Sequence, residues 1–227
     1  MNNEEKNQNK TTSDELEEIK EMGSLTTFKG KHKIHCLTII GEIEGHNVLP
    51  EQNKTTKYEH VIPQLVAIEE TPEIEGLLII LNTVGGDVEA GLAIAELISG
   101  MEKPTVSFVL GGGHSIGVPL AVSAKKSFIA PSATMTVHPV RTNGLVIGVP
   151  QMMNHFARMQ GRITDFVVRN SKITSNRFTE LMMNTGEMVT DVGSVLSGER
   201  AVKEGLIDGI GNLSTVIKGL YDMIEEN

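Results

Sequence analysis

The chain contains no tryptophan, and aromatic residues make up only 4% of its 227 positions, so its core has to be filled by aliphatic side chains. It has a single cysteine, Cys36, which excludes an internal disulfide and fits a reducing compartment. It lacks an excess of positive charge: 20 Lys+Arg against 29 Asp+Glu leave a formal net charge of −9. That balance argues against a nucleic-acid partner, because phosphate recognition needs a dense cationic surface. No apolar run approaches the roughly 18 residues that a bilayer span requires, and residues 1–25 have no apolar stretch of the kind a secretory signal carries. The cytoplasm is the expected location, with no transmembrane segment. What the chain does have is an ordinary globular composition, 39% hydrophobic and 22% charged, at a length that suits one domain. Its 11 methionines point mildly to adaptable contact surfaces.

The chain divides into a short tail and one domain. Residues 1–25 are polar and acidic, with too little apolar surface to offset the entropy of ordering, and are expected to be a disordered tail. The domain is expected over 26–227. Ile34 to Ile40 reads as a strand that stops at Gly41, 45–57 as a polar connection, and 58–70 as a helix that Thr71-Pro72 ends. Leu77 to Leu81 is uninterruptedly apolar, the mark of a strand buried on both faces. Helix 88–100, strand 105–110, helix 116–124 and strands at 127–130 and 134–138 follow. Regular alternation of this kind implies right-handed crossovers around a largely parallel α/β sheet. Beyond Gly144 the pattern turns helical, over 149–172 and 175–185, with more apolar helix than the core needs. Ser197 then caps a short helix, Leu206-Ile207 forms a brief strand, and a last helix begins near 213.

The sharpest chemical signal is Gly113-His114-Ser115-Ile116-Gly117. A serine between glycines, where a strand turns into a helix, sits on a tight turn with its hydroxyl exposed and backbone N–H groups beside it. The same residues also fit a plain glycine-rich turn with Ser115 as a helix cap. An α/β-hydrolase needs an acid and then a histidine after the serine, but no Asp or Glu lies between Ser115 and His155, so that order fails. In the order serine, histidine, acid, the best base is His138, at a strand end beside Pro139. His155 fits a surface or packed role, and His114 a role in shaping or lining the pocket. A second glycine turn, Asn82-Thr83-Val84-Gly85-Gly86-Asp87, also joins a buried strand to a helix. Two such turns in succession set backbone amides side by side, with Gly86 and Ile116 as the expected oxyanion-hole donors. Lys125-Lys126 raises a serine–lysine alternative, but adjacent lysines fit a solvated loop better than the desolvated site a lysine base requires. His32, His35 and Cys36 hint at a metal, yet no fourth ligand is near, so neither a metal nor a cofactor is expected.

Taken together these motifs resemble the Clp protease proteolytic-subunit family, and within it the translocation-enhancing subgroup, relatives of the crotonase superfamily. The likeness rests on Asn82-Thr83-Val84-Gly85-Gly86, Ala90-Gly91, Gly111-Gly112-Gly113-His114-Ser115-Ile116-Gly117, Val137-His138-Pro139 and Ser197-Gly198-x-x-Ala201-x-x-x-Gly205-Leu206-Ile207-Asp208. It covers about 33–215. The resemblance implies a ClpP/crotonase-type spiral of ββα units with a helical handle arm at 149–185, by which family subunits stack their rings into homo-oligomers. It implies a serine peptidase with Ser115 as nucleophile, His138 as base, and Gly86 and Ile116 as oxyanion donors, acting on peptides or proteins, with or without an ATPase partner. The orienting acid departs from the family pattern. Counted back without a gap from Leu196-Ser197, its position falls on Gly193, and Asp191 two residues earlier is the only carboxylate between Glu187 and Glu199. The resemblance thus leaves a Ser115–His138–Asp191 triad, a dyad, or a histidine oriented by some other group. Thr83-Val84 stands where the family has Ser-Pro. A crotonase-like acyl-CoA enzyme and a catalytically silent ring scaffold remain the rival readings.

Overall fold

A computed structural model describes residues 25–27, 30–141, 147–187 and 192–227. The acidic tail therefore lies outside the described residues except for Leu25, and so does Asp191. The strands are β1 (Leu25–Thr27), β2 (Ile34–Glu44), β3 (Thr55–Lys57), β4 (Gly76–Gly86), β5 (Thr105–Gly113), β6 (Lys126–Ile129), β7 (Thr134–Val137), β8 (Ser194–Ser197) and β9 (Gly209–Ile210). The helices are α1 (Tyr58–Glu70), α2 (Val88–Gly100), α3 (Gly117–Val122), α4 (Val149–Arg169), α5 (Ser175–Met182), α6 (Gly198–Lys203) and α7 (Leu213–Glu225).

The main sheet runs β1-β2-β4-β5-β6-β9, parallel from β2 onward, with β3 alongside β2. Its centre is β4, where successive residues Leu77, Leu78 and Ile79, and then Leu81, are buried, so both faces of the strand are covered. Burying each such side chain is worth roughly 2 kcal/mol. With no tryptophan to supply bulk, the core is mostly Ile, Leu, Val and Ala, joined by Met101, Met135, Met182, Phe108, Phe128, Phe166 and Phe178. The α2 helix starts where Asp87 accepts the Ala90 N–H at 2.8 Å, a capping bond that satisfies one free amide of the first turn. Ala90, Leu92, Ile94, Ala95 and Ile98 then face the sheet.

The second, smaller ladder positions the site. β7 pairs with β5 at Gly112↔Thr134 and antiparallel with β8, from Thr134↔Ser197 to Val137↔Ser194. Beyond it, α4 buries Thr164, Phe166 and Val167 in its second half, while Val149 and Met153 in its first half are exposed. Two ion pairs, Arg162–Glu89 and Arg169–Glu96, tie the second half of α4 to α2. Among the described residues no helix is long and apolar enough to cross a membrane.

Several boundaries differ from the sequence expectation. The first long strand does not stop at Gly41 but continues to Glu44 through a register shift at Gly41/Glu42. The apolar strand 77–81 extends to Gly86, and strand 105–110 to Gly113, so both glycine segments are still paired as strand. The connection 45–57 ends in β3, and β8 was not foreseen. The brief strand lies at Gly209–Ile210 rather than Leu206-Ile207, because Leu206 and Ile207 bond back to the Ala201 carbonyl.

Candidate active site

The site lies at the C-terminal ends of β4 and β5, where two strand-to-helix turns meet the end of β7. In the first turn, Gly85 and Gly86 have φ of +96° and +148°. The Thr83 hydroxyl organises it, donating to the Gly41 carbonyl at 2.6 Å and accepting the Gly85 N–H at 3.0 Å. The Thr83-for-Ser departure thus keeps a hydroxyl with a definite use. A side chain at Gly85 would meet the Ser115 Cβ at 2.6 Å, which shows how closely this backbone passes the serine.

In the second turn Ser115 has φ of +57°, and among the described residues no other non-glycine takes a positive φ. A left-handed conformation costs an L-residue about 1–2 kcal/mol, a strain typical of a nucleophile on a strand-to-helix elbow. Surrounding bonds hold the turn in place. The Ser115 N–H donates to the Thr136 carbonyl at 2.9 Å, the His114 N–H to the Thr83 carbonyl at 3.2 Å, and the Gly117 N–H to the His114 carbonyl at 2.8 Å. The Ile116 N–H has no hydrogen-bond acceptor among the described residues. Ile116 is fixed by α2, since a side chain at Gly91 would lie 2.3 Å from its Cγ1.

His138 follows β7 directly, and its Nδ1 lies 2.7 Å from the Pro139 carbonyl oxygen. A carbonyl only accepts, so Nδ1 carries the proton and the lone pair of the neutral ring sits on Nε2. Gly193, the gap-free position of the family's acid, passes the histidine with φ of +143°, and a side chain there would sit 2.9 Å from the His138 Cβ and 2.5 Å from the Val137 carbonyl. No carboxylate fits at 193. Asp191 lies outside the described residues.

A cavity of about 150 Å³ is lined by Ser115, His138, Gly86 and Ile116 together. Val88, Val118, Val140, Ile163 and Phe178 supply apolar walls, with Arg141 and Gln160 as polar members. No Asp or Glu is among its described lining residues. No hydrogen bond joins the Ser115 and His138 side chains among the described residues; such pairs commonly close only when substrate binds. His114 is not in the lining. Its Nδ1 lies 2.8 Å from the Thr136 hydroxyl, its ring rests over Gly112, and burial, with a lesser contribution from nearby His138, pushes its pKa below the ordinary histidine range. It braces the serine turn against β7. Lys125 reaches the Glu102 carbonyl, Lys126 lies over the Phe128 ring, and neither lines the cavity. His155 is exposed beside Phe156. His32 sits between Glu75 and Glu225, and among the described residues no group of three or more His, Cys, Asp or Glu is arranged to hold a metal ion. Sequence reasoning missed Gln160, whose place in the cavity depends on how α4 folds back; no local motif marks it.

The family model described as Clp protease matches residues 31–213. A translocation-enhancing protein of Halalkalibacterium halodurans is 55% identical over 212 residues, which cover 93% of this chain and 83% of that protein. An ATP-dependent Clp protease proteolytic subunit 1 from Chlamydia muridarum is 26% identical over 66% of this chain and 77% of its own length. Among solved structures, a ClpP1 mutant from Listeria monocytogenes superposes with a TM-score of 0.64 at 21% identity, covering 80% of this chain and 94% of its own, a likeness of fold.

Proposed function

This chain belongs to the Clp protease family, and on that premise we propose that it is a serine endopeptidase that hydrolyses peptide bonds at the cavity between β4, β5 and β7. The observation that carries the reading is the convergence of a strained serine, a histidine with its lone pair on Nε2, and two candidate amide donors on one cavity. Ser115 is the nucleophile. His138 takes the hydroxyl proton as Ser115 Oγ bonds to the scissile carbonyl carbon, and returns it to the leaving amine as the peptide bond breaks. Gly86 and Ile116 N–H groups stabilise the oxyanion. Asp191 is the proposed acid, sharing with the Pro139 carbonyl the Nδ1 proton of His138 once the imidazolium forms. Water then repeats the sequence on the acyl-enzyme, again through His138.

The apolar walls fit an uncharged side chain next to the scissile bond, on a peptide lying extended along the β4 edge. The name of the Halalkalibacterium relative suggests peptides linked to protein translocation, signal peptides included. The protein is proposed to work in the cytoplasm as a homo-oligomeric ring, with α4 and α5 as the contact arm. The second reading is a ring scaffold without catalysis. The pairing of a serine with a histidine on one cavity favours peptide hydrolysis over acyl-CoA chemistry of the crotonase kind, which relies on carboxylates. Treatment with a fluorophosphonate and mapping of the adduct decides between them: a covalent adduct on Ser115, lost in His138→Ala, is expected, and an unmodified Ser115 alongside full biological activity would establish the scaffold.

A further inference from the structure

The segment after His138 belongs to neither helix nor strand through Arg141, so its peptide groups have no ladder to hold them. One of them is nevertheless gripped on both sides. The carbonyl of the Pro139–Val140 peptide faces His138 Nδ1 at 2.7 Å, and its N–H donates to the Oε1 of Gln160 at 2.8 Å. Because a peptide unit is planar, its C=O and N–H turn as one body, and fixing the N–H fixes the direction of the carbonyl. Gln160 stands on α4, in the half of that helix tied to α2 by Arg162 and Arg169.

We propose that Gln160 is a positioning residue for His138, acting through the Pro139–Val140 peptide to keep the imidazole in the tautomer and orientation that Ser115 needs. Only the acceptor half of the amide is engaged: Nε2 of Gln160 is shielded from solvent and has no hydrogen-bond partner among the described residues. The role therefore asks for an oxygen at that reach and not for an amide. The proposal deepens the peptidase reading and rests on His138 being the base there. Gln160 itself is not assigned a contact with the reacting atoms.

The test compares the full-length protein with Gln160→Met, which keeps length and removes the acceptor, and Gln160→Glu, which keeps it. The readout is the second-order rate of Ser115 modification by a fluorophosphonate across pH. Gln160→Met is expected to slow modification about tenfold or more near neutral pH and to move the acid limb of the profile by about half a pH unit or more, a part of the hundredfold or greater effect of a general base. Gln160→Glu is expected to react within about threefold of wild type. The position of the acid limb does not depend on how much of a variant is folded, so lower yield does not obscure the result. A Met variant with the wild-type rate and acid limb, or a Glu variant as slow as Met, overturns the role. If His138→Ala also reacts like wild type, the peptidase reading falls together with it; if His138→Ala is dead while Met is unaffected, only the Gln160 role falls.

Discussion

The two strand-to-helix turns face each other across the same cavity and solve the same steric problem in opposite ways. At residues 83–87 the chain reverses through Gly85 and Gly86, and an aspartate caps the helix that follows. At 111–117 the glycines come first, and the residue that takes the left-handed conformation is Ser115. Where only backbone is needed, glycine adopts positive φ without a clash. Where a hydroxyl has to stand at the apex, the strain is kept and offset by bonds from the turn to Thr83 and Thr136. Strain without glycine therefore marks the side chain, and not the turn, as the feature being preserved.

Substitutions at facing positions break that symmetry. The largest expected effect is chemical: Ser115→Ala should lower hydrolysis of a fluorogenic peptide by about 10³-fold or more while leaving the thermal unfolding midpoint near wild type, because alanine inherits the same φ. Next comes Gly85→Ala, whose new Cβ would lie 2.6 Å from the Ser115 Cβ at φ of +96°. Its unfolding, followed in denaturant, should show a loss of about 3 kcal/mol, together with a loss of activity. Ser115→Gly should be as inactive as the alanine variant yet more stable than wild type by about 1 kcal/mol, since glycine takes the left-handed conformation freely. Equal stability of the glycine and alanine variants would mean that the apex is unstrained.

The smallest effect lies away from the site. His32 is held between Glu75 at 3.0 Å and Glu225 at 3.2 Å, joining the start of β2 to the end of α7, and these carboxylates raise its pKa above the ordinary histidine value. A raised folded-state pKa gives stability that is fully present below the unfolded value near 6.5 and is lost as pH rises through the folded one. Thermal midpoints of wild type should therefore fall slightly relative to His32→Gln between about pH 6 and 8. A constant difference across that range would show that the histidine's charge contributes nothing.

Much of the candidate site is legible in the sequence. The apolar run 77–81, the glycine-flanked serine and the strand ending in His138 each carry a local pattern, and those patterns place β4, the Ser115 turn and the end of β7 correctly. Strand ends were less legible, because Asn82–Gly86 and Leu110–Gly113 look like loop and are held as strand by pairing with neighbours. β8 is illegible for the same reason: its four residues are strand through pairing with β7.

Composition and spacing by themselves determined the α/β class, the aliphatic core, and the serine and histidine offered to the cavity, because burial periodicity and turn chemistry are properties of short stretches of chain. Tertiary structure alone decided that position 193 leaves no room for a side chain beside His138, that His114 braces the serine turn from outside the cavity, and that Gln160 reaches the peptide that follows Pro139. Those facts are distances between residues far apart along the chain, and only the docking of β7, β8 and α4 onto the sheet fixes them.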